Sequence, residues 1–359
     1  RALSYWHALD LFGNGVPFVV ETDPVGDFFP PAITKESLFS FIESELKSIE
    51  GSLYDAPHPD YGRADKGAAW ILLAKLYLNA EVYIGQIKYT ECIEYCDKII
   101  SGPYTLAPTY QQLFLANNDM DPTTMQEIIF PIRFDGQNTQ TWGGTTFIIA
   151  ASIGGEMVAQ DYGTAERWGG TRTTKEFVSL FNEDDGRGYF FTEGQSLEIN
   201  DLTAFENGYA VTKFRNVYYV GDQTISGSHE TFMDTDFPMF RLGDVYLMYA
   251  EAVKRGGGGS ESQAVDYINA LRTRVGDIPI SAGDMDLDFI LNERGRELYW
   301  ECHRRTDLIR FDKFTGSNYI WTWKRNIKEG RSTDAKYELY PLPAQDVNAN
   351  PNLSQNPNY

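Results

Sequence analysis

From Arg241 onward an apolar side chain returns every three or four positions, a period that only helices packed against one another can use. Leu242, Val245, Tyr246, Tyr249, Ala252 and Val253 line one face of a first helix. After the Gly256–Gly259 run, Ala264, Tyr267, Ile268 and Leu271 line a second, which makes a helix hairpin. A third helix follows with Leu287, Ile290, Leu291 and Leu298 inward. Glu293, Arg294, Arg296, Glu297, Arg304 and Arg305 read as its ion pairs, three or four residues apart.

The other end of the chain carries the same kind of signal. Thr34 can cap a helix bearing Leu38, Ile42, Leu46 and Ile49 that Gly51 stops. Between Gly67 and Ile100, Trp70, Leu73, Ala74 and Tyr77 occupy the core offsets of a tetratricopeptide repeat. Cys92, Cys96 and Ile99 face inward on a second helix, reached by a turn longer than that repeat uses. The hairpin from Arg241 to Val275 fits the same template loosely. A small residue at the helix crossing, Ala74 or Ala250, is the feature both share, and each hairpin needs a stacked neighbour to bury its stripe. Arg1–Phe12 is already an amphipathic helix (Leu3, Trp6, Leu9) with no capping residue before it, as in a chain whose upstream part lies outside this sequence.

The totals narrow the function classes. A chain of 359 residues with 42% hydrophobic content can bury a large core. Its net charge of −20 argues against nucleic acid and against docking on an anionic membrane surface. The apolar runs Ala68–Ala74 and Phe147–Ile153 are far shorter than the roughly 20 residues of a membrane span and read as core. Cys92 and Cys96 lie one helical turn apart, poorly placed for a disulfide, and read as small buried hydrophobes. The four histidines, His7, His58, His229 and His303, are scattered, and no nucleophile, zinc or phosphate-loop motif is present. Asn182–Gly186 reads as an acidic turn ending a helix, because it lacks the alternation of a calcium loop. No cofactor and no metal site is expected. With 51 acidic residues, a glycosidase-type carboxylate pair stays open.

The middle of the chain, from about Pro103 to Phe240, is rich in Gly, Asn, Thr and aromatics, with helical period only in short pieces such as Thr174–Phe181. Glu127–Arg133 and Tyr209–Val220 alternate like short strands. Two Trp-Gly-Gly triplets fall here, at Trp142 and Trp168. Flanking glycines leave an indole uncovered, and an uncovered indole can stack on the C–H face of a pyranose while nearby polar groups take its hydroxyls. Asn138, Gln140, Thr145, Asp161, Arg167 and Arg172 are the polar candidates. The competing reading buries both indoles as plugs beneath long loops. Trp321 and Trp323, pointing to one side if extended, are expected in the core, and Trp6, Trp70 and Trp300 are expected on scaffold helices.

Four pieces near the end occur in a telling order: Arg241-Leu-Gly-Asp-Val-Tyr-Leu-Met-Tyr-Ala-Glu-Ala, Glu293-Arg-Gly-Arg-Glu-Leu, Arg304-Arg-Thr-Asp-Leu-Ile-Arg310, and the tail Tyr340-Pro-Leu-Pro-Ala through Pro351–Tyr359. Together they resemble the SusD/RagB lipoproteins of Bacteroidetes, as does Leu11-Phe-Gly-Asn-Gly-Val-Pro17. Cys302 departs from the pattern, standing where the family usually has Gly, and only local repacking is expected from it. The resemblance implies a cell-surface protein held at the outer membrane by an N-terminal lipid anchor that this chain does not contain. It also implies that oligosaccharide passes to a SusC-like TonB-dependent transporter, and that the segments around Trp142 and Trp168 contribute to a glycan-binding arc. The string Thr139–Phe147 looks closest to starch binders.

The fold expected is mainly α: tetratricopeptide-like hairpins forming a superhelix, with an irregular, loop-rich central lobe. Its expected parts are a helical portion over 1–102, a glycan-binding lobe over 103–240, and a helical C-terminal portion with its tail over 241–359. The function expected is non-catalytic glycan binding, starch or another α-glucan, with Trp142, Trp168, Asn138, Gln140, Arg172 and Asp161 as the site. A glycoside hydrolase and a protein-binding helical-repeat scaffold are the alternatives.

Overall fold

The computed structural model describes all 359 residues. Helix α1 (Ala2–Phe12) sinks Trp6 and Leu9 into the core and packs Leu3 against it. A short antiparallel ladder, β1 (Val16–Pro17) with β2 (Ala32–Ile33), leads to α2 (Lys35–Ile49). The Ser37 amide donates to Thr34 Oγ1 at 3.2 Å, so the predicted cap forms. Leu38, Ile42 and Leu46 are buried, while Ile49 at the helix end faces solvent.

Helix α3 (Lys66–Leu78) is buried on nearly every side, with Asp65 capping it through the Ala68 amide. The long turn expected after it holds a further short helix, α4 (Ala80–Ile84), before α5 (Tyr89–Ile100). Cys92 and Cys96 are fully buried free thiols. The centre is built from small pieces: α6 (Pro122–Met125), β3 (Ile128–Ile132), α7 (Gly144–Ala150), α8 (Lys175–Val178), and the ladders β4–β5 (Phe190–Phe191 with Ala210–Val211) and β6–β7 (Val217–Val220 with Gln223–Ser226). Strand β8 (Phe237–Arg241) closes an antiparallel pair with β3 and runs directly into α9 (Leu242–Lys254). Helices α10 (Glu261–Arg274), α11 (Leu287–Leu298), α12 (Arg304–Arg310) and α13 (Ala344–Ala349) complete the chain.

Helix α5 is the shared layer between the two ends. It packs on α3 with one side and on α9 with the other, and α9 is flanked in turn by α10 and α11. The result is a mostly helical, tetratricopeptide-like stack with a loop-rich centre. The crossing residues Ala74 and Ala250 are both fully buried. One large apolar cluster joins residues from both ends, and a smaller one under the centre gathers Tyr110, Phe114, Ile149, Phe205, Phe214 and Phe237. No helix is long and apolar enough to cross a membrane.

The charged side chains of α11 form ion pairs, but in the interior and mostly not with one another. Glu293, Arg294 and Glu297 are almost completely covered, and only the Arg296–Glu293 contact, at 2.5 Å, is the local pair that the spacing suggests. The other partners come from far along the chain. Arg241 reaches Glu297 at 2.7 Å, Glu301 at 2.7 Å and Glu127 at 3.0 Å. Arg187 reaches Glu293 at 2.7 Å and Asp185 at 2.8 Å, so one member of the acidic turn at 182–186, Asp185, is a buried ion-pair partner while Glu183 and Asp184 stay exposed. The helices of the stack meet the centre through charge neutralised in pairs, most of them with partners distant in sequence where local pairs three or four residues apart were expected.

Trp300 is likewise not helical. It and Cys302 adopt φ of 61° and 65° in the turn that follows α11. Trp323 has a φ of 66°, so the Trp321–Trp323 segment is not extended; both indoles are half-buried, and Trp323 Nε1 donates to the Ile199 carbonyl at 2.8 Å.

Candidate functional site

The two Trp-Gly-Gly triplets sit at opposite ends of α7. The first precedes it, with Gly143 as its extended N-cap residue and Gly144 as its first residue. Gly144 has a φ of 58°, and a Cβ there would lie 2.0 Å from Cζ of Phe134, so only glycine lets the chain rest on that ring. The second triplet docks where α7 ends. The Trp168 amide donates to the Ala150 carbonyl at 3.0 Å, and the Gly169 amide donates to that of Ile153 at 2.8 Å. Gly169 (φ 60°) passes so close to Gly154 that a Cβ on the latter would come within 2.9 Å of the Gly169 Cα.

This framework brings the indoles together. The rings of Trp142 and Trp168 lie 6.0 Å apart with planes inclined by 40°. Trp142 is 59% exposed and Trp168 38% exposed, so neither is a core plug. The Trp168 Nε1–H donates to Glu166 Oε2 at 2.8 Å, which fixes the ring. Phe232 meets Trp142 edge-on at 5.0 Å. Phe147, on α7, extends the patch on the other side of Trp168 at 6.2 Å. The arrangement is a bent row of four aromatics.

Phe147, Phe232 and Glu166 were not among the sequence candidates. The run Phe147–Ile153 reads as core, yet Phe147 is 49% exposed because α7 buries Thr145, Thr146, Ile149 and Ala150 instead. Beyond Phe147 opens a largely apolar cleft of about 770 Å³, which Phe134, Phe237, Leu298, Trp300 and Arg305 also line.

The polar candidates divide. Asn138 and Gln140 are exposed on the loop leading to Trp142. The Asn138 side-chain amide donates to Asp135 Oδ2 at 2.8 Å and that of Gln140 to the Gly136 carbonyl at 3.0 Å, and the oxygen of neither amide is taken up by a hydrogen bond within the protein. Arg172 is committed to the fold: its guanidinium donates to the carbonyls of Asn207 (2.8 Å) and Leu202 (2.9 Å) and lies over the Phe205 ring. Arg167 donates to the Gly155 carbonyl, and Thr145 is fully buried. Asp161 is exposed on the 3-10 turn Ala159–Tyr162, and no contact ties it to the indoles.

Stacked helical hairpins bearing an uncovered aromatic face on a loop-rich centre define a recognisable class of protein, and relatives give that class its family. The SusD family model matches residues 192–359. Along its whole length the chain is 33% identical to the starch-binding protein SusD of Bacteroides thetaiotaomicron, 71% of which it covers. The chain belongs to the SusD family. Among solved structures, surface glycan-binding protein A of Bacteroides thetaiotaomicron in complex with laminarihexaose superposes with a TM-score of 0.73 at 21% identity, over 99% of this chain and 76% of that one. A laminarin-binding SusD-like protein does so with a TM-score of 0.74 at 24% identity, over 100% of this chain and 77% of that one.

Proposed function

We propose that this chain binds polysaccharide at the cell surface without cleaving it and delivers oligosaccharide to a SusC-like TonB-dependent transporter. A lipid anchor would hold it on the outer membrane. Residues 103–240 serve as the glycan-binding lobe, and the helical parts 1–102 and 241–359 serve as its scaffold. One observation carries this reading: two exposed indoles, 6.0 Å apart, on one face of the loop-rich centre. Each can cover one pyranose face, and the exposed amides of Asn138 and Gln140 offer hydrogen bonds beside them.

Starch or another α-glucan is the favoured ligand. The 40° inclination suits a chain whose successive ring faces turn, where a flat ribbon would meet one indole and miss the other. The starch-binding relative supports the same choice. A β-1,3-glucan, the laminarin type bound by two structural neighbours, is the second reading. The test is calorimetry with maltoheptaose, laminarihexaose and cellohexaose, each followed by a hydrolysis assay. Binding of maltoheptaose with no product formed is expected. Turnover of any of the three would favour the hydrolase reading, and no binding at all would favour a protein-binding scaffold.

A further inference from the structure

The loop that carries Asn138, Gln140 and Trp142 is tied down by carboxylates from a segment 100 residues downstream. The Phe134 amide donates to Asp236 Oδ1 at 2.6 Å, and the Gly136 amide donates to Asp234 Oδ1 at 2.7 Å. Phe134 is the ring on which Gly144 rests, two residues past Trp142. The same downstream segment supplies Phe232, which braces the Trp142 indole directly. A Cβ on Gly136 would come within 2.5 Å of the Phe232 carbonyl oxygen, so loop and segment are in close contact along this stretch.

Asp236 is fully buried, and the Tyr61 hydroxyl lies near enough to its carboxyl to act on it as a weak donor, although no hydrogen bond of full geometry reaches either Asp236 Oδ2 or Tyr61 Oη. Four kinds of group face this carboxyl: Tyr61 from the loop before α3, Asp119 from the turn before α6, Arg133 from the end of β3, and the Phe134 amide. Asp234 and Asp135 add negative charge around Asp119.

We propose that Asp236 is a positioning residue for the glycan platform, holding the 133–140 loop beneath Trp142 most firmly when its carboxyl is neutral. The proposal rests on the reading of Trp142 and Trp168 as the glycan site. Burial pushes Asp236 up to about 7; the Phe134 amide works against that, Asp119 adds to it, and Arg133 and Tyr61 oppose it. The sign follows. The folded loop prefers the protonated acid, so raising the pH through about 7 favours conformations that lift the loop and hydrate the carboxylate. Affinity should therefore fall as pH rises.

Hydrogen exchange across residues 133–140, corrected for intrinsic rates, tests the loop without any ligand, and calorimetry with maltoheptaose tests the platform. In the parent chain, protection and affinity should each drop several-fold between about pH 6 and about pH 8. Asp236→Asn, permanently neutral, should hold the low-pH values throughout. Asp119→Asn, which removes the nearby charge, should move the midpoint to lower pH. A flat exchange profile in the parent, or an unchanged slope in Asp236→Asn, overturns the proposal. Should Asp236→Asn fail to fold, Asp119→Asn decides alone, and an unshifted midpoint overturns it. Absence of glycan binding at every pH alongside the expected exchange profile would instead overturn the proposed function and leave the loop mechanism standing.

Discussion

Cys302 holds a φ of 65°, a backbone conformation in which a side chain costs free energy and glycine does not. Only part of that cost is returned by the larger entropy a glycine has when unfolded. Cys302→Gly is therefore expected to stabilise the protein by on the order of 0.5–1 kcal/mol, read from denaturant melts. At this scale the sequence was informative where chemistry and backbone freedom coincide. Trp142 and Trp168 were legible because each is followed by two glycines, and the structure brings those two rings together in solvent. Phe147 was not, since an apolar run gives no sign of which member a short helix will turn outward. Arg172 could not be placed either: its three fold-committed contacts depend on where the 202–207 loop returns, which no spacing encodes.

Helical period predicted the hairpins at both ends, because burial of a stripe depends only on residues three or four apart. It could not show that α11 would turn a charged face inward, because the partners of Glu293 and Glu297 arrive from Arg187, Arg241, Arg272 and Arg274. Pairs of this kind add little net stability when complete, yet leave stranded charges when broken. Arg241→Met would leave Glu127, Glu297 and Glu301 short of a counter-charge in the interior. It should lower stability by about 3–5 kcal/mol, measured by denaturant unfolding. Ala250 tests the packing instead. It is fully buried in α9, and Ala250→Leu should cost on the order of 1–3 kcal/mol by overpacking the crossing. A near-neutral result would mean that the closest approach of the helices lies elsewhere.

For the molecule as a whole, the buried network sets the response to acid. Burial pushes Glu251, Glu293, Glu297 and Glu301 upward, but their arginine neighbours outweigh it and hold all four below the ordinary value of 4.5. A depressed folded-state pKa contributes stability above the unfolded value that is lost as pH falls. Melting temperature should therefore drop steeply below about pH 4.5, the opposite direction to the Asp236 effect near 7. The two expected responses act on different parts of the protein: acid should loosen the stack of helices, and a rise through about pH 7 the loop beneath Trp142. On the proposed function, the helical stack displays a pair of indoles to a glycan. Calorimetry of Trp142→Ala and Trp168→Ala with a long α-glucan, alongside thermal melts, tests this display. Loss of either stacking plane should weaken binding roughly tenfold with the melting temperature nearly unchanged, since aromatic contacts contribute about 0.5–1.5 kcal/mol beyond burial and both rings are already solvent-facing. Parent-like binding by both variants, or unfolding of both, would contradict it.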